Sequence, residues 1–191
     1  MHTVSNTPAH IPSVTTPWRH KAIVLIAICV ISMSVNSQNI YKESWPAVVT
    51  HVSDGDTLWV QPAAGGQALK LRLDGVDAPE ICQSHGPQAL AALKHKVWRK
   101  KVQVHVRTRD AYGRSVARVD LVGMPPAQAD VGAWMVTQGH AWAHRYQKRK
   151  AAYAVLEDTA RRQRKGLFAA DKPQHPSHFR KSHGTCRGTS R

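Results

Sequence analysis

The sequence predicts an α+β fold, mainly β: a small closed barrel of five strands carrying three helices. Three observations point there. Five short segments alternate apolar and polar residues, as half-buried strands do. Turn residues separate several of them, at Asp54-Gly55, at Gly65-Gly66 and from Asp110 to Gly113. Helical spacing replaces the alternation once between the third and fourth segments and twice after the fifth. Short strands in meander with a few helices close most simply into a barrel, which leaves no sheet edge unpaired.

The first strand runs from Trp45 to Val52, and Ser53-Asp54-Gly55-Asp56 turns the chain. Thr57 to Gln61 is the second strand, ended by Pro62 and the two glycines. Leu69 to Asp74 is the third; its leucines share one face, and Lys70, Arg72 and Asp74 share the other. Gly86-Pro87 opens a helix whose Ala89, Leu90, Leu93, Val97 and Trp98 recur at helical spacing. Val102 to Val106 and Val116 to Leu121 are the fourth and fifth strands. Pro125-Pro126 breaks the chain, and Asp130 is placed to cap a helix through Thr137 that Gly139 ends. A third helix spans Ala151 to Arg164. From Lys172 onward the chain is rich in His, Pro, Ser, Gly and Arg and reads as irregular. Trp59, Trp98, Trp134 and Trp142 read as core residues.

The body of this chain is strongly basic. Its 191 residues include 27 Lys+Arg and 12 Asp+Glu, a formal net charge of +15. That suits one ordinary domain, and 42% apolar residues are enough to build a core. Three cysteines exclude a disulfide-framework miniprotein, and no fixed repeat is present, which excludes solenoids and propellers. The charge points to a polyanionic partner, nucleic acid or an anionic membrane surface.

Ala22 to Val35 is a short run without charge, preceded by Trp18-Arg19-His20-Lys21, with small residues toward and just past its end at Ser32, Ser34 and Ser37. Two readings stand for residues 1–37: a cleaved secretory signal, or an uncleaved N-terminal membrane anchor. Both put the body outside the cytoplasm, as a secreted or periplasmic protein or one tethered through residues 22–35. Without 1–37 the chain loses Arg19 and Lys21 and no acid, so 25 basic residues face 12 acidic ones, net +13. Cys29 lies in the apolar run, which leaves Cys82 and Cys186 as an even pair. In an oxidising compartment they are candidates for a disulfide; two free thiols are the alternative.

Five of the twelve acids fall in one window: Asp54, Asp56, Asp74, Asp77 and Glu80. Carboxylates crowded together repel unless a cation neutralises them, and oxygen ligands suit a hard divalent ion. Asp54-x-Asp56 resembles the start of an EF-hand loop, but Leu58 and Trp59 stand where such a loop needs another ligand and a glycine. Any metal must therefore be held by separate segments. The bland reading is an Asp-Gly hairpin turn and solvated loop acids. Arg72, on the polar face of a strand, and Arg114, after a glycine turn, offer paired donors that match a phosphate. A metal and two arginines aimed at phosphoryl oxygens stabilise the charge of phosphodiester attack, and Glu80 is the candidate to orient or deprotonate the water.

Three separated motifs then coincide in order and spacing: Asp54-Gly-Asp-Thr57, Arg72-Leu-Asp-Gly-Val-Asp-Ala-Pro-Glu80 and Asp110-Ala-Tyr-Gly-Arg114. Together they closely resemble the thermonuclease (staphylococcal nuclease-like) family, over about residues 46–168. The resemblance implies an OB-type five-stranded barrel with three helices. It implies Ca²⁺-dependent hydrolysis of DNA and RNA with little sequence specificity, leaving 3′-phosphate ends, although another divalent metal is compatible with the same ligands. By motif position, Asp56, Asp77 and the backbone carbonyl of Ala78 resemble the metal ligands, with Asp54 and Thr57 behind them. Arg72 and Arg114 resemble the phosphate-binding arginines and Glu80 the general base. Ala78 replaces a common Thr, tolerable if only the carbonyl is used. Ala111 stands where some members carry a phosphate-contacting Lys. Tyr146, with Tyr112 behind it, is the candidate for base stacking.

On this reading residues 38–170 are the nuclease domain and 171–191 a basic, His-rich tail. His175, His178, His183 and Cys186 fit no standard zinc spacing. Lys148-Arg149-Lys150, Arg161-Arg162-x-Arg164-Lys165 and Arg180-Lys181 read as solvated charge that also holds a polyanion by counterion release. A binding-only OB-type module is the competing hypothesis; it predicts salt-sensitive binding without metal-dependent cleavage. Nothing in the sequence calls for an obligate protein partner.

Overall fold

The computed structural model describes residues 40–144, 151–184 and 186. Five strands close the barrel: β1 (Glu43–Val52), β2 (Thr57–Pro62), β3 (Leu69–Leu73), β5 (Lys101–Arg109) and β6 (Ser115–Leu121), with a two-residue strand β4 (Val76–Asp77) between β3 and β5 in the chain. The order around the barrel is β1-β2-β3-β6-β5. Every neighbouring pair is antiparallel except β3 and β6, which run parallel. That one parallel pair follows from chain direction: helix α1 (Gly86–Val97) carries the chain across before β5 and β6 return.

Alternation decides which side chains fill the barrel. Val49, Leu58, Val60, Leu71, Leu73, Val102, Val104, Ala117 and Val119 are all buried in one core. Leu69 opens β3 exposed, so Leu71 and Leu73 alone carry that strand's inward face. Helix α1 seats Ala89, Leu93 and Val97 on the same core, and α3 (Val131–Thr137) adds Val131, Met135 and Val136. Asp130 caps α3, its side chain accepting from the Ala133 N–H at 3.0 Å. A short helix α2 (Pro126–Ala129) precedes it, after Pro125. Helix α4 (Ala154–Arg162) lies within the segment expected to be helical, and a 3₁₀ turn follows at Gly166–Ala169. Trp142, Ala160, Leu167 and Phe168 form a second, smaller core.

Two expectations need correction. Trp98 is not a core residue: it is 38% exposed, because it sits at the C-cap where the chain leaves helical geometry. Lys94 and Arg99 lie over its indole, at 5.4 and 5.8 Å from the ring centroid. Trp59 lies outside the core as well: alternation turns it away from the buried Leu58 and Val60, and it sits half-buried under Lys70. The tail is not irregular either. Pro176–His183 forms a helix, α5, with Pro at its start and a His175 cap, whose Nδ1 accepts from the Ser177 N–H at 3.2 Å. Phe179 is its buried anchor. Composition alone missed α5 because only Pro176 and Phe179 of its eight residues are buried.

A disulfide joins Cys82 to Cys186, 104 residues apart, with Cα atoms 5.8 Å from each other. On the chain-entropy account, closing a loop that long contributes on the order of 4 kcal/mol. Reduction is therefore expected to lower the melting temperature by several degrees. Alkylation before and after reduction checks the link: both cysteines labelled in the native, unreduced chain would refute it. No helix among the described residues is long and apolar enough to cross a membrane; residues 22–35 lie outside them.

Candidate active site

The site gathers at one end of the barrel, where register puts Thr57 of β2 opposite Arg72 of β3, and Arg72 beside Val116 of β6. The Asp54-Gly55-Asp56 turn feeds β2 and packs tightly against its surroundings. A Cβ on Gly55 would stand 2.7 Å from the Ala78 side chain and 2.8 Å from that of Ala89, so only glycine lets the turn approach. The Glu80 loop is held the same way. A Cβ on Gly86 would fall 1.9 Å from the Glu80 carbonyl oxygen. Asp77 is placed by the pairing of β4 with β7 (Trp142–Ala143), opposite Trp142.

These elements bring one continuous polar chain together. Arg114 donates through Nη1 to the Thr57 hydroxyl at 3.2 Å, and that hydroxyl donates to Asp56 Oδ1 at 3.0 Å. Asp56 Oδ2 takes the Arg72 Nη1 and the Ala78 N–H, the latter at 3.2 Å. Arg72 Nη2 donates to Asp77 Oδ1 at 3.1 Å and to the Val76 carbonyl at 3.2 Å. Asp56 and Asp77 are both buried, whereas the Glu80 side chain is 21% exposed. Arg114 is steadied by Asp110, which accepts from its Nε at 2.7 Å and from its backbone N–H at 2.9 Å. Among the described residues Arg114 Nη2 makes no hydrogen bond.

Electrostatics sorts the carboxylates. Burial alone would push Asp56 up, but the Arg72 charge and the Ala78 N–H outweigh it and hold the carboxyl below the usual range. Asp54 accepts the Asp56 N–H at 3.0 Å, and among the described residues no cationic side chain pairs with it. Burial, and then the Asp56 charge, push Asp54 up to about 7. Asp74 pairs elsewhere: its partner is Arg107, at 2.7 Å, and among the described residues no hydrogen bond or ion pair ties its side chain into the polar chain that links the other four windowed acids.

The described residues contain no group of three His, Cys, Asp or Glu side chains arranged to hold a metal. The donor set is leaner: the Asp56 and Asp77 carboxylates, with Ala78 beside Asp56. It is all oxygen, and it adjoins the partly buried Asp54 carboxylate, which has no cationic partner among the described residues. That chemistry fits a hard divalent cation completed by water or substrate oxygen.

Tyr112 is 83% exposed, with the Arg114 guanidinium 5.4 Å from its ring centroid. Tyr146 lies outside the described residues. Sequence reasoning missed one participant. Arg180 of α5, read as solvated tail charge, donates to Asp77 Oδ1 and Oδ2 at 3.2 and 3.1 Å and to Glu80 Oε1 at 2.9 Å. The available signal was indirect: a Cys82–Cys186 link must return the tail to within two residues of Glu80.

The family model described as "Staphylococcal nuclease homologue" matches residues 70–170. The chain belongs to that family. Among its relatives is "Protein ParB" of Escherichia coli, 37% identical over 139 residues, covering 70% of this chain and 77% of that protein. The "Micrococcal nuclease" of Shigella flexneri is 34% identical over 140 residues, covering 70% and 79%. An "Uncharacterized endonuclease" of Escherichia coli is 33% identical over 140 residues and 88% of its own length is covered. The matched residues of this staphylococcal nuclease homologue include Arg72, Asp77, Glu80 and Arg114 and stop before α5.

Proposed function

We propose that this chain is an exported, divalent-metal-dependent nuclease that hydrolyses phosphodiester bonds in DNA and RNA with little sequence specificity, leaving 3′-phosphate ends. Family membership supports the nuclease activity. One observation supports the metal-assisted chemistry: Arg72, Arg114, Asp56, Asp77 and Glu80, drawn from three separated motifs, meet at one end of the barrel. The basic flank and apolar run of residues 1–37 and the Cys82–Cys186 disulfide support export, and the resemblance to the thermonuclease family supports the 3′-phosphate ends.

Asp56, Asp77 and the Ala78 carbonyl are the groups that would hold the cation, and Ca²⁺ is the one proposed. When bound, it supplies Lewis-acid stabilisation of charge on a phosphoryl oxygen. The protein groups do the rest. Arg72 and Arg114 flank the position of the phosphate, and Arg114 Nη2, which makes no hydrogen bond among the described residues, is a donor for one of its oxygens. Glu80, partly exposed, takes a proton from a water as that water forms its bond to phosphorus. The bond to the 5′ oxygen breaks, that oxygen leaves as a hydroxyl by taking a proton from solvent water, and the phosphate stays on the 3′ side. Exposed Tyr112 offers a ring for a base to stack on, and no single base is required for that. The excess of basic residues holds the strand by counterion release, so affinity falls steeply with salt.

The expected result is cleavage of single-stranded DNA and of RNA in Ca²⁺ and none in chelator. Products should resist polymerase extension until a phosphatase removes the 3′-phosphate. Salt-sensitive binding without cleavage in Ca²⁺, Mg²⁺ or Mn²⁺ would instead establish a binding module. Export through residues 1–37 is read by fractionation of cells producing the full chain; a cytoplasmic pool alone would reject it.

A further inference from the structure

We propose that Arg180, carried by the tail helix α5, is a positioning residue for Glu80, and that the catalytic unit therefore extends beyond residue 170 to Cys186. The inference rests on the nuclease reading above and names a residue outside the family match.

The contact is built rather than incidental. Arg180 grips both oxygens of Asp77, which is fully buried and also held by Arg72. Its Nη1 reaches from that fixed point to Glu80 Oε1 at 2.9 Å. A guanidinium suits this task because its rigid fork serves two carboxylates at once. Among the described residues no other group hydrogen-bonds the Glu80 carboxylate, and the side chain is 21% exposed.

Helix α5 is itself fixed at both ends beside the residues it serves. At its start, the His175 ring packs 5.3 Å from that of Trp142, the residue opposite Asp77 in the β4–β7 pair. The Gln83 side chain, three residues past Glu80, donates to the Gln174 carbonyl at 2.6 Å. Beyond its end, Cys186 is bonded to Cys82, two residues past Glu80. Between these ties Phe179 is buried, and the next residue, Arg180, reaches the carboxylates. A free Glu side chain samples many rotamers; one oxygen tied to a fixed guanidinium removes most of that freedom before substrate arrives.

The test compares the full chain with Arg180→Ala and Arg180→Lys, each also in a Glu80→Gln background. Arg180→Ala should lose about 10- to 100-fold in kcat, the scale of a misplaced catalytic group, with KM within about threefold. Arg180→Lys, with charge but no fork, should recover part of the loss. In the Glu80→Gln background, removing Arg180 should change kcat by no more than about threefold, because the two act as one unit. Calorimetry supplies a readout apart from activity. Ca²⁺ should bind Arg180→Ala at least as tightly as the wild type, since Arg72 still holds Asp77 and one nearby positive charge is gone.

Equal fold-losses in the two backgrounds would mark a structural role and overturn the proposal. So would an unchanged kcat. A raised kcat would overturn it in favour of a tail that blocks the site. A wild-type chain that cuts nothing in any divalent cation would sink the nuclease reading and this proposal with it. An active wild type with an equally active Arg180→Ala would sink this proposal alone.

Discussion

Arg72→Met should cost about 3–5 kcal/mol of stability, the usual penalty for removing one partner from a buried ion pair. The side chain is 18% exposed and serves two buried carboxylates, Asp56 and Asp77. Methionine matches much of its length and none of its charge. Asp77 would keep Arg180, but Asp56 would keep only the Thr57 hydroxyl and the Ala78 N–H. The Arg72 charge is what overrides burial and holds the Asp56 carboxyl low, so the variant must either bury a charge or take up a proton. Urea denaturation at neutral pH, with chelator present so that metal binding adds nothing, measures the loss. Arg72→Lys should recover part of it. A loss below about 1 kcal/mol would mean that this end of the barrel is solvated like an ordinary surface.

The second large effect is on turnover. Glu80→Gln should lower kcat by about 10²- to 10³-fold while leaving stability within about 1 kcal/mol. Glutamine keeps the shape and keeps an oxygen for Arg180 Nη1, but it cannot take a proton from water. Glu80 contributes no contact to Arg72 or to Asp56, so the buried ion pairs survive the change. The metal donors are likewise untouched, and Ca²⁺ binding should persist. Single-turnover cleavage with enzyme in excess separates this loss from any change in substrate affinity. Activity equal to the wild type would remove Glu80 from the chemistry. A collapse of KM and kcat together, with a lowered melting temperature, would make it a structural residue instead.

Reducing the disulfide should also be felt at the site if α5 positions Glu80, because Cys186 ties the far end of that helix to Cys82. The stability effect and the activity effect therefore have different reporters. Melting temperature reads the constrained loop. The kcat of the reduced enzyme, assayed well below its melting temperature, reads Arg180.

What the sequence determined by itself is whatever is encoded locally. The five barrel strands were legible because a core on one side and solvent on the other force alternation, and Val49, Leu58, Leu71, Val104 and Val119 obey it. Helices α1 and α3 were legible from spacing and caps, down to the Asp130 cap. The acid window and the two arginines were legible as motifs, because each lies within a few residues of a turn whose shape its own residues dictate. Only the tertiary structure decided the rest. A two-residue strand such as β4 has no period to read, yet its pairing with β7 is what seats Asp77. Asp74 belonged to the window by sequence and to Arg107 in space, since its place next to Asp77 in the chain says nothing about the facing strand. Helix α5 has two buried residues and a polar sequence, so no local pattern announces it. Its order comes from a disulfide and from ion pairs to residues about a hundred positions earlier. Arg180 looks like any solvated tail charge until the fold supplies two carboxylates that need it.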